Sequence, residues 1–407
     1  MITKQDIETA YQTIRDQIPA TPLTRSPRLG QKYGCKLLLK LENRQLTGSF
    51  KERGALNKLL NLSTAEQGHG VIAASAGNHA QGLAYNATRL GINSKVVMPI
   101  GTPLTKVMAT QNYGAETILH GDTYDDAFEL ATKIAADENL TFIPAFDDPF
   151  VAAGQGTIAL EVMNHAWGSD IDTVLCPVGG GGLIGGIAAY LKAVKPTINI
   201  IGIEPMQCAS MREALEYRQP VKLPRGYSLA DGIAVKKVGQ LTYELVDRYV
   251  DDLITVGEDQ IAQAVLELLE TEKLVVEGAG AVPLAALAVD PTRFADQTVL
   301  LIISGGNIDV NVLDKIISRG LAVTGRVVEL TVRVPDQPGV LVEVLRVFRQ
   351  TQANVLEVSH HRFYPTTPFG YVDVAITSET KGHAHIALLK RALEKEGYLL
   401  QVGLITR

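Results

Sequence analysis

At 407 residues the chain exceeds one typical domain, and 46% hydrophobic with 20% charged residues describes a globular protein of two or three domains. A net charge of −6, with lysines and arginines scattered along the chain, gives no basic footprint and argues against a nucleic-acid partner. The three cysteines, Cys35, Cys176 and Cys208, lack CxxC spacing and the eight histidines form no HExxH set, so neither a disulfide framework nor a metal site is expected.

The start, Met1 to Glu8, carries charges where a signal peptide needs an apolar run, which predicts a cytoplasmic protein. A first strand is expected at Lys36 to Leu41. After it, Lys51 sits in Thr47-Gly48-Ser49-Phe50-Lys51-Glu52-Arg53-Gly54-Ala55, an apolar, glycine-flanked setting. A desolvated lysine has a depressed pKa, and its neutral amine can add to an aldehyde. A solvated helix lysine is the plain alternative. The strand Val71 to Ala74 then leads into Ser75-Ala76-Gly77-Asn78-His79-Ala80-Gln81-Gly82, where hydroxyl, amide and helix-start N–H groups suit a carboxylate or a phenolic oxygen; an ordinary N-cap by Ser75 or Asn78 reads equally well.

Strands at Lys95 to Pro99 and Glu116 to Leu119 follow, with helices at 82–90, 105–113, 124–138 and 155–167 between and after them. The strand Thr173 to Val178 runs into Gly179-Gly180-Gly181-Gly182-Leu183 and a helix over 183–194, a loop whose backbone N–H groups can close on a phosphate. Thr173 to Leu191 holds no charge, yet six glycines and Pro177 fit a strand, loop and buried helix rather than a membrane span. A strand at Ile198 to Glu204, a helix at 259–272 and a strand at Thr298 to Ser304, apolar from Val299 to Ile303, complete an alternation that predicts buried parallel sheets with helices on both faces. Ser304 lands at a strand's C-terminal end, where open α/β sheets bind ligands.

Beyond residue 320 the pattern becomes βαββαβ: strand 327–334, helix 340–350, strands 354–363 and 371–378, helix 383–396, strand 398–405. The first strand and helix are joined by Asp336-Gln337-Pro338-Gly339-Val340-Leu341, a constrained turn that leaves helix-start N–H groups available to an anion.

Taken together, Lys40 to Asn57, Ser75 to Gly82, Gly179 to Leu183, Leu229-Ala-Asp-Gly-Ile-Ala-Val235 and Ser304-Gly-Gly-Asn307 resemble the threonine dehydratases (threonine ammonia-lyases), pyridoxal-phosphate enzymes that share their fold with tryptophan synthase β. The resemblance implies an α/β catalytic region over 1–320, two-lobed with a smaller lobe at about 45–150, a linker at 321–325 and a ferredoxin-like ACT regulatory domain over 326–407. It implies that Lys51 carries pyridoxal 5'-phosphate and acts as the catalytic base. Gly179, Gly180, Gly181, Gly182 and Leu183 would hold its phosphate, Asn78 its ring oxygen and Ser304 its ring nitrogen. The substrate would meet Ser75, Ala76, Gly77, Asn78 and His79.

A neutral Ser304 hydroxyl supports a protonated pyridine less than an aspartate would, which favours β-elimination over transamination. Threonine over serine rests on the resemblance, because one methyl group is worth only about 1–3 kcal/mol in a pocket. Serine racemase is the rival of the same fold. Its family carries a serine at the place of Ala76, which moves no proton here, and after Glu204 the chain offers Cys208, Ala209 and Ser210 rather than a second acid for a divalent cation. Two other classes remain. Gly180 to Gly185 satisfies GxGxxG with Glu204 about 20 residues on, a dinucleotide fingerprint that leaves Lys51, Asn78 and Ser304 unexplained. A catalytically silent amino-acid sensor would have no use for Lys51. The ACT-like unit is expected to bind isoleucine, with valine or AMP as alternatives, or to serve as a ligand-free oligomerisation domain, in a homodimer or homotetramer.

Overall fold

The structure, a computed structural model, describes residues 1–224, 226–362 and 367–403. It divides into two compact units, Met1–Asp309 and Val310–Arg407. The first holds two sheets. The larger runs Leu23–Arg25, Lys36–Leu41, Thr298–Ile303, Thr173–Pro177, Asn199–Pro205, Asp252–Val256, and all its pairings are parallel except the first. The smaller, entirely parallel, runs Glu116–Leu119, Ser94–Met98, Val71–Ala74, Thr141–Phe142. Thr298–Ile303 and Thr173–Pro177 are buried at every residue, as strands covered on both faces must be. Thr298–Ile303 lies between Lys36–Leu41 and Thr173–Pro177, so three segments separated in sequence end side by side: the one that leads to Lys51, the one that leads to the glycine loop, and Ser304 itself.

The helix Lys51–Leu60 is packed against Asn78–Arg89 and Pro149–Asn164, with Glu52 to Asn57 and Leu59 buried. A Cβ on Gly54 would lie 2.7 Å from the Val151 carbonyl, and one on Gly154 would lie 2.7 Å from Gly54 Cα, so a glycine pair lets these helices touch. Two helices start earlier than their sequence pattern predicts. Asn78–Arg89 begins four residues before Gly82, and Pro149–Asn164 begins six before Gln155 because Asp148 accepts hydrogen bonds from Phe150 and Val151 with Pro149 at the first turn. The expected helix over 259–272 is α-helical at Glu258–Glu267 and widens to a π turn at Leu268–Glu272. Gly278–Val289 is a helix that the pattern did not show.

In the second unit a helix at Val310–Val323 includes residues 321–323, which the sequence placed in a linker. An antiparallel sheet follows in the order Asn354–His361, Tyr371–Glu379, Val327–Pro335, Leu399–Gly403. Alternate residues Val328, Leu330, Val332 and Val334 face Val344, Val347 and Phe348 of helix Val340–Thr351 and Leu389 and Leu393 of helix His383–Lys395, a half-buried pattern unlike the strands of the first unit. Phe363, Leu404 and Ile405, included in the predicted strands, lie outside the described residues. No helix among the described residues is long and apolar enough to cross a membrane.

Candidate active site

Lys51 is the first residue of its helix, and the two residues before it are stitched to the end of strand Thr298–Ile303. The Phe50 N–H donates to the Ser304 carbonyl at 3.0 Å, and Ser49 bridges Gly305. This fixes Lys51 next to buried Ser304. Its Nζ donates to the Ala145 carbonyl at 2.8 Å. Burial pushes the amine down to about 8, against the opposing pull of the Glu277 carboxyl. The neutral amine that the chemistry needs is therefore within reach near neutral pH.

Asn78 opens its helix. No side chain caps that helix, and Gly77 holds the N-cap position, so the ordinary N-cap reading of Ser75 or Asn78 does not apply. Ser75 Oγ accepts from the Gly77 N–H at 3.3 Å, while a Cβ at Gly77 would meet nothing within 4 Å. Asn78 Nδ2 donates to Glu277 Oε1 at 2.7 Å and Asn78 Oδ1 accepts from Asn307 Nδ2 at 2.9 Å. Asn307 Nδ2 donates in addition to the Thr47 carbonyl at 2.7 Å. These bonds tie together the Lys51, Asn78 and Ser304 segments, which lie far apart in the chain. One nitrogen of the His79 ring is used inside the fold. Nε2 lies 2.9 Å from the Ile143 carbonyl, and burial, with Lys51 nearby, holds the imidazole neutral by pushing it down to about 4. The ring ties the helix start to the segment that follows strand Thr141–Phe142.

The glycine loop leaves the end of Thr173–Pro177 and enters helix Gly182–Val194. A Cβ at Gly179 would sit 2.9 Å from Ile233 Cα, one at Gly180 2.3 Å from the Phe146 ring, and one at Gly181, where φ is +91°, 2.5 Å from Met211 Cε. Only glycines fit between these neighbours. Among the described residues no protein group accepts from the N–H groups of Gly179 to Leu183, which together with the helix start makes an anion cradle. The same short stretch serves both halves of the site: the Ala145 carbonyl holds Lys51 and Phe146 walls the loop. A phosphate-bearing aldehyde therefore fits the chain. Lys51 would face its carbonyl group, the glycine loop its phosphate, and Asn78 and Ser304 its ring.

Sequence reasoning missed Glu277, the carboxyl that contacts Asn78. Its signal was a lone charge in the otherwise apolar Leu274-Val275-Val276-Glu277-Gly278-Ala279 run. It also missed the interlobe ion pair of Lys106 with Asp231, the latter in the 229–235 segment. Glu204 is turned onto a helix start: its two oxygens accept from the N–H groups of Met211 and Arg212 at 2.8 and 2.9 Å, and burial pushes it up to about 7. In the second unit Asp336 pairs with Arg362 at 3.2 Å, and Gly339, with φ +90°, precedes the helix that carries Val340 and Leu341.

Comparison with known proteins agrees with this geometry. The family of pyridoxal-phosphate dependent enzymes matches residues 14–305, and the ACT domain matches 328–397. An L-threonine ammonia-lyase of Thermotoga maritima is 43% identical over 402 residues, covering 99% of this chain and all of that one. The processed form of threonine deaminase isoform 2 from Solanum lycopersicum superposes with a TM-score of 0.74 at 37% identity, over 77% of this chain and 92% of its own. Maize serine racemase gives 0.73 at 30% identity, over 78% and 98%. The chain belongs to the pyridoxal-phosphate dependent enzyme family and carries an ACT domain at its C-terminal end.

Proposed function

We propose that the protein is a threonine ammonia-lyase, converting L-threonine to 2-oxobutanoate and ammonia, and L-serine to pyruvate more slowly. The observation that carries this reading is Lys51: a desolvated amine fastened beside Ser304 and across from the glycine loop. Pyridoxal phosphate, when bound, supplies the electron sink that lets the bonds at an amino acid's α-carbon break. The chain's residues supply the rest. Lys51 Nζ, with a proton affinity near neutrality, is the base for the α-proton. The N–H groups of Gly179 to Leu183 hold the phosphate, and the turn from Ser75 to His79 offers its backbone donors to the substrate carboxylate. Asn78 and Ser304 set the ring's orientation, and Ser304 brings no charge to it.

Fold similarity alone does not separate lyase from racemase, since both superpose equally well. Ala76 favours the lyase, because a racemase needs a second proton carrier and an alanine has none. The ACT domain is the regulatory unit of this reading, with isoleucine as the inhibitor expected first and valine or AMP as alternatives, in a cytoplasmic homodimer or homotetramer. Relatives named biosynthetic and catabolic L-threonine dehydratase are 37% identical over 344 residues and 44% identical over 313, so the reaction serves isoleucine biosynthesis or threonine catabolism. The test is 2-oxo acid release from L-threonine and L-serine, with and without isoleucine, in the full chain and in one truncated near Arg326. Turnover of threonine with a response of roughly 5–150-fold that disappears on truncation supports both parts. Racemised serine without oxo acid overturns the lyase, and a response that survives truncation overturns the regulatory role.

A further inference from the structure

Glu277 is almost fully buried, at 4% exposure, at the start of helix Gly278–Val289. Its surroundings bring together the segments of Asn78, Gly232 and Gly305. Oε1 accepts from Asn78 Nδ2 at 2.7 Å. A Cβ on Gly305 would lie 2.2 Å from that oxygen, so this glycine makes room for the carboxyl, and one on Gly232 would be in ordinary contact with it at 3.6 Å. Its backbone N–H donates to the Gly305 carbonyl at 3.1 Å. The charged groups facing it are Lys51 on one helix, Asp231 on the turn Asp231–Ile233, and Lys106, which pairs with Asp231, on helix Leu104–Asn112. Among the described residues no cation is bonded to it directly, which is unusual for a carboxyl so deeply buried.

The bond to Asn78 carries the argument. A backbone carbonyl and a carboxylate only accept hydrogen bonds. The chain from the Thr47 carbonyl through Asn307 Nδ2, Asn78 Oδ1 and Asn78 Nδ2 to Glu277 therefore has an obligate acceptor at the Thr47 end, and at the Glu277 end when that carboxyl is ionised, which fixes the orientation of both amides. One Asn78 N–H is used on Glu277 and the second remains to donate to a ring oxygen. We propose that Glu277 is a positioning residue of the site: its carboxylate locks the Asn78 amide with a donor toward the bound ring and is the negative charge that faces Lys51. Burial and Asp231 push Glu277 up to about 7, and Asn78, Lys106 and Lys51 oppose them, so its charge changes in the range where the enzyme works.

The inference rests on the cofactor reading, and its test separates the two. In the cofactor-loaded full chain, the pH at which the visible absorbance changes is compared for wild type, Glu277→Gln and Glu277→Asp. In the cofactor-free chain, the pH dependence of Lys51 acylation is read by peptide mapping. Glu277→Gln removes the charge at nearly constant shape and is expected to move both midpoints down by about one unit, tenfold in proton affinity, whereas Glu277→Asp keeps the charge and moves them less than half as far. A packing role predicts the reverse order, with the shorter aspartate the more disruptive, and that order or unmoved midpoints in folded Glu277→Gln overturn the proposal. Should Glu277→Gln not fold, the wild type decides. The Asn78 side-chain amide resonances, identified by their loss in Asn78→Ala, must titrate between about pH 6 and 8, and resonances that stay fixed overturn it. Absence of any visible band in wild type removes the cofactor reading alone, because Lys51 acylation still reports on Glu277.

Discussion

Two cations on the first turn of one helix, Lys51 and Arg53, meet opposite fates. Arg53 is 1% exposed, and its guanidinium donates to both oxygens of Glu42 at 2.7 and 2.8 Å and both of Glu161 at 2.6 and 2.9 Å, while buried Lys40 bonds Glu161 and the Thr21 carbonyl. Two cations thus face two carboxylates. Burial alone would raise Glu42, but Arg53 and Lys40 hold it below its ordinary value. Burial likewise opposes the charge on Arg53, and the two carboxylates win. Lys51, two residues away, is given one carbonyl and the field of one carboxyl, and burial prevails. Full pairing makes a charge inert; partial pairing leaves it free to exchange a proton.

The sharpest test of this contrast is Lys51→Ala. If Lys51 is the base, oxo-acid formation at saturating threonine falls by at least about 10²–10⁴-fold, while cofactor still binds weakly through the glycine loop. Near-normal turnover would remove Lys51 from the chemistry altogether.

Arg53→Met should cost about 3–5 kcal/mol of stability, the usual loss when one partner of a buried ion cluster is removed. Urea unfolding measures it. The penalty comes from carboxylates left unpaired, so adding Glu42→Gln and Glu161→Gln to Arg53→Met should recover much of it. A triple variant as unstable as the single one would mean that the cluster acts through shape.

Lys51→Met should do the opposite. The folded chain holds the Lys51 proton only below about 8 and the unfolded chain below 10.5. Between those values unfolding takes up a proton, so wild-type stability rises with pH across that window, and below it the buried charge is a constant cost. At pH 7 the difference of 10.5 − 8 = 2.5 units corresponds to about 3 kcal/mol in favour of the variant. Losing the Ala145 bond subtracts about 1 kcal/mol. The stability difference between cofactor-free wild type and Lys51→Met, followed from pH 7 to 10, should shrink steadily; a flat difference would place the Lys51 amine in solvent.

The contrast between these residues also marks how far the sequence could be read. The glycine loop and the strand ending at Ser304 stand out locally, one as four consecutive glycines and the other as an uncharged run of β-formers. Lys51 stood out through its immediate neighbours. Its environment did not, because Ala145 and Glu277 reach it from 94 and more residues away, as do the 199 residues between Asn78 and Glu277. Helix Gly278–Val289 hid for another reason: buried on every side and interrupted by Pro283, it has no polar face to give a period. The first turns of Asn78–Arg89 and Pro149–Asn164 were concealed by glycines that read as loop and serve as close contacts, such as Gly154 on Gly54.

Ser304→Asp gives the smallest effect and probes the charge balance directly. Ser304 is buried at 1% exposure at the end of an uncharged, fully buried strand, with its carbonyl committed to the Phe50 N–H, which leaves the side chain to meet a ring. A serine there adds no charge, which keeps the Lys51 region underpaired. An aspartate would bring the site closer to the Arg53 pattern: a buried carboxylate seeking a cation, for which a protonated ring nitrogen of bound cofactor is the available partner. Stronger electron withdrawal by the ring prolongs the anionic stage of the reaction and favours half-transamination over β-elimination. We expect the ratio of those two products, measured in one reaction with L-threonine, to move toward transamination by roughly tenfold, the effect of about 1.4 kcal/mol on competing barriers. An unchanged ratio in a folded, cofactor-loaded variant would show that Ser304 does not face the ring nitrogen, and choice of reaction would then rest on the Lys51 and Asn78 side of the site.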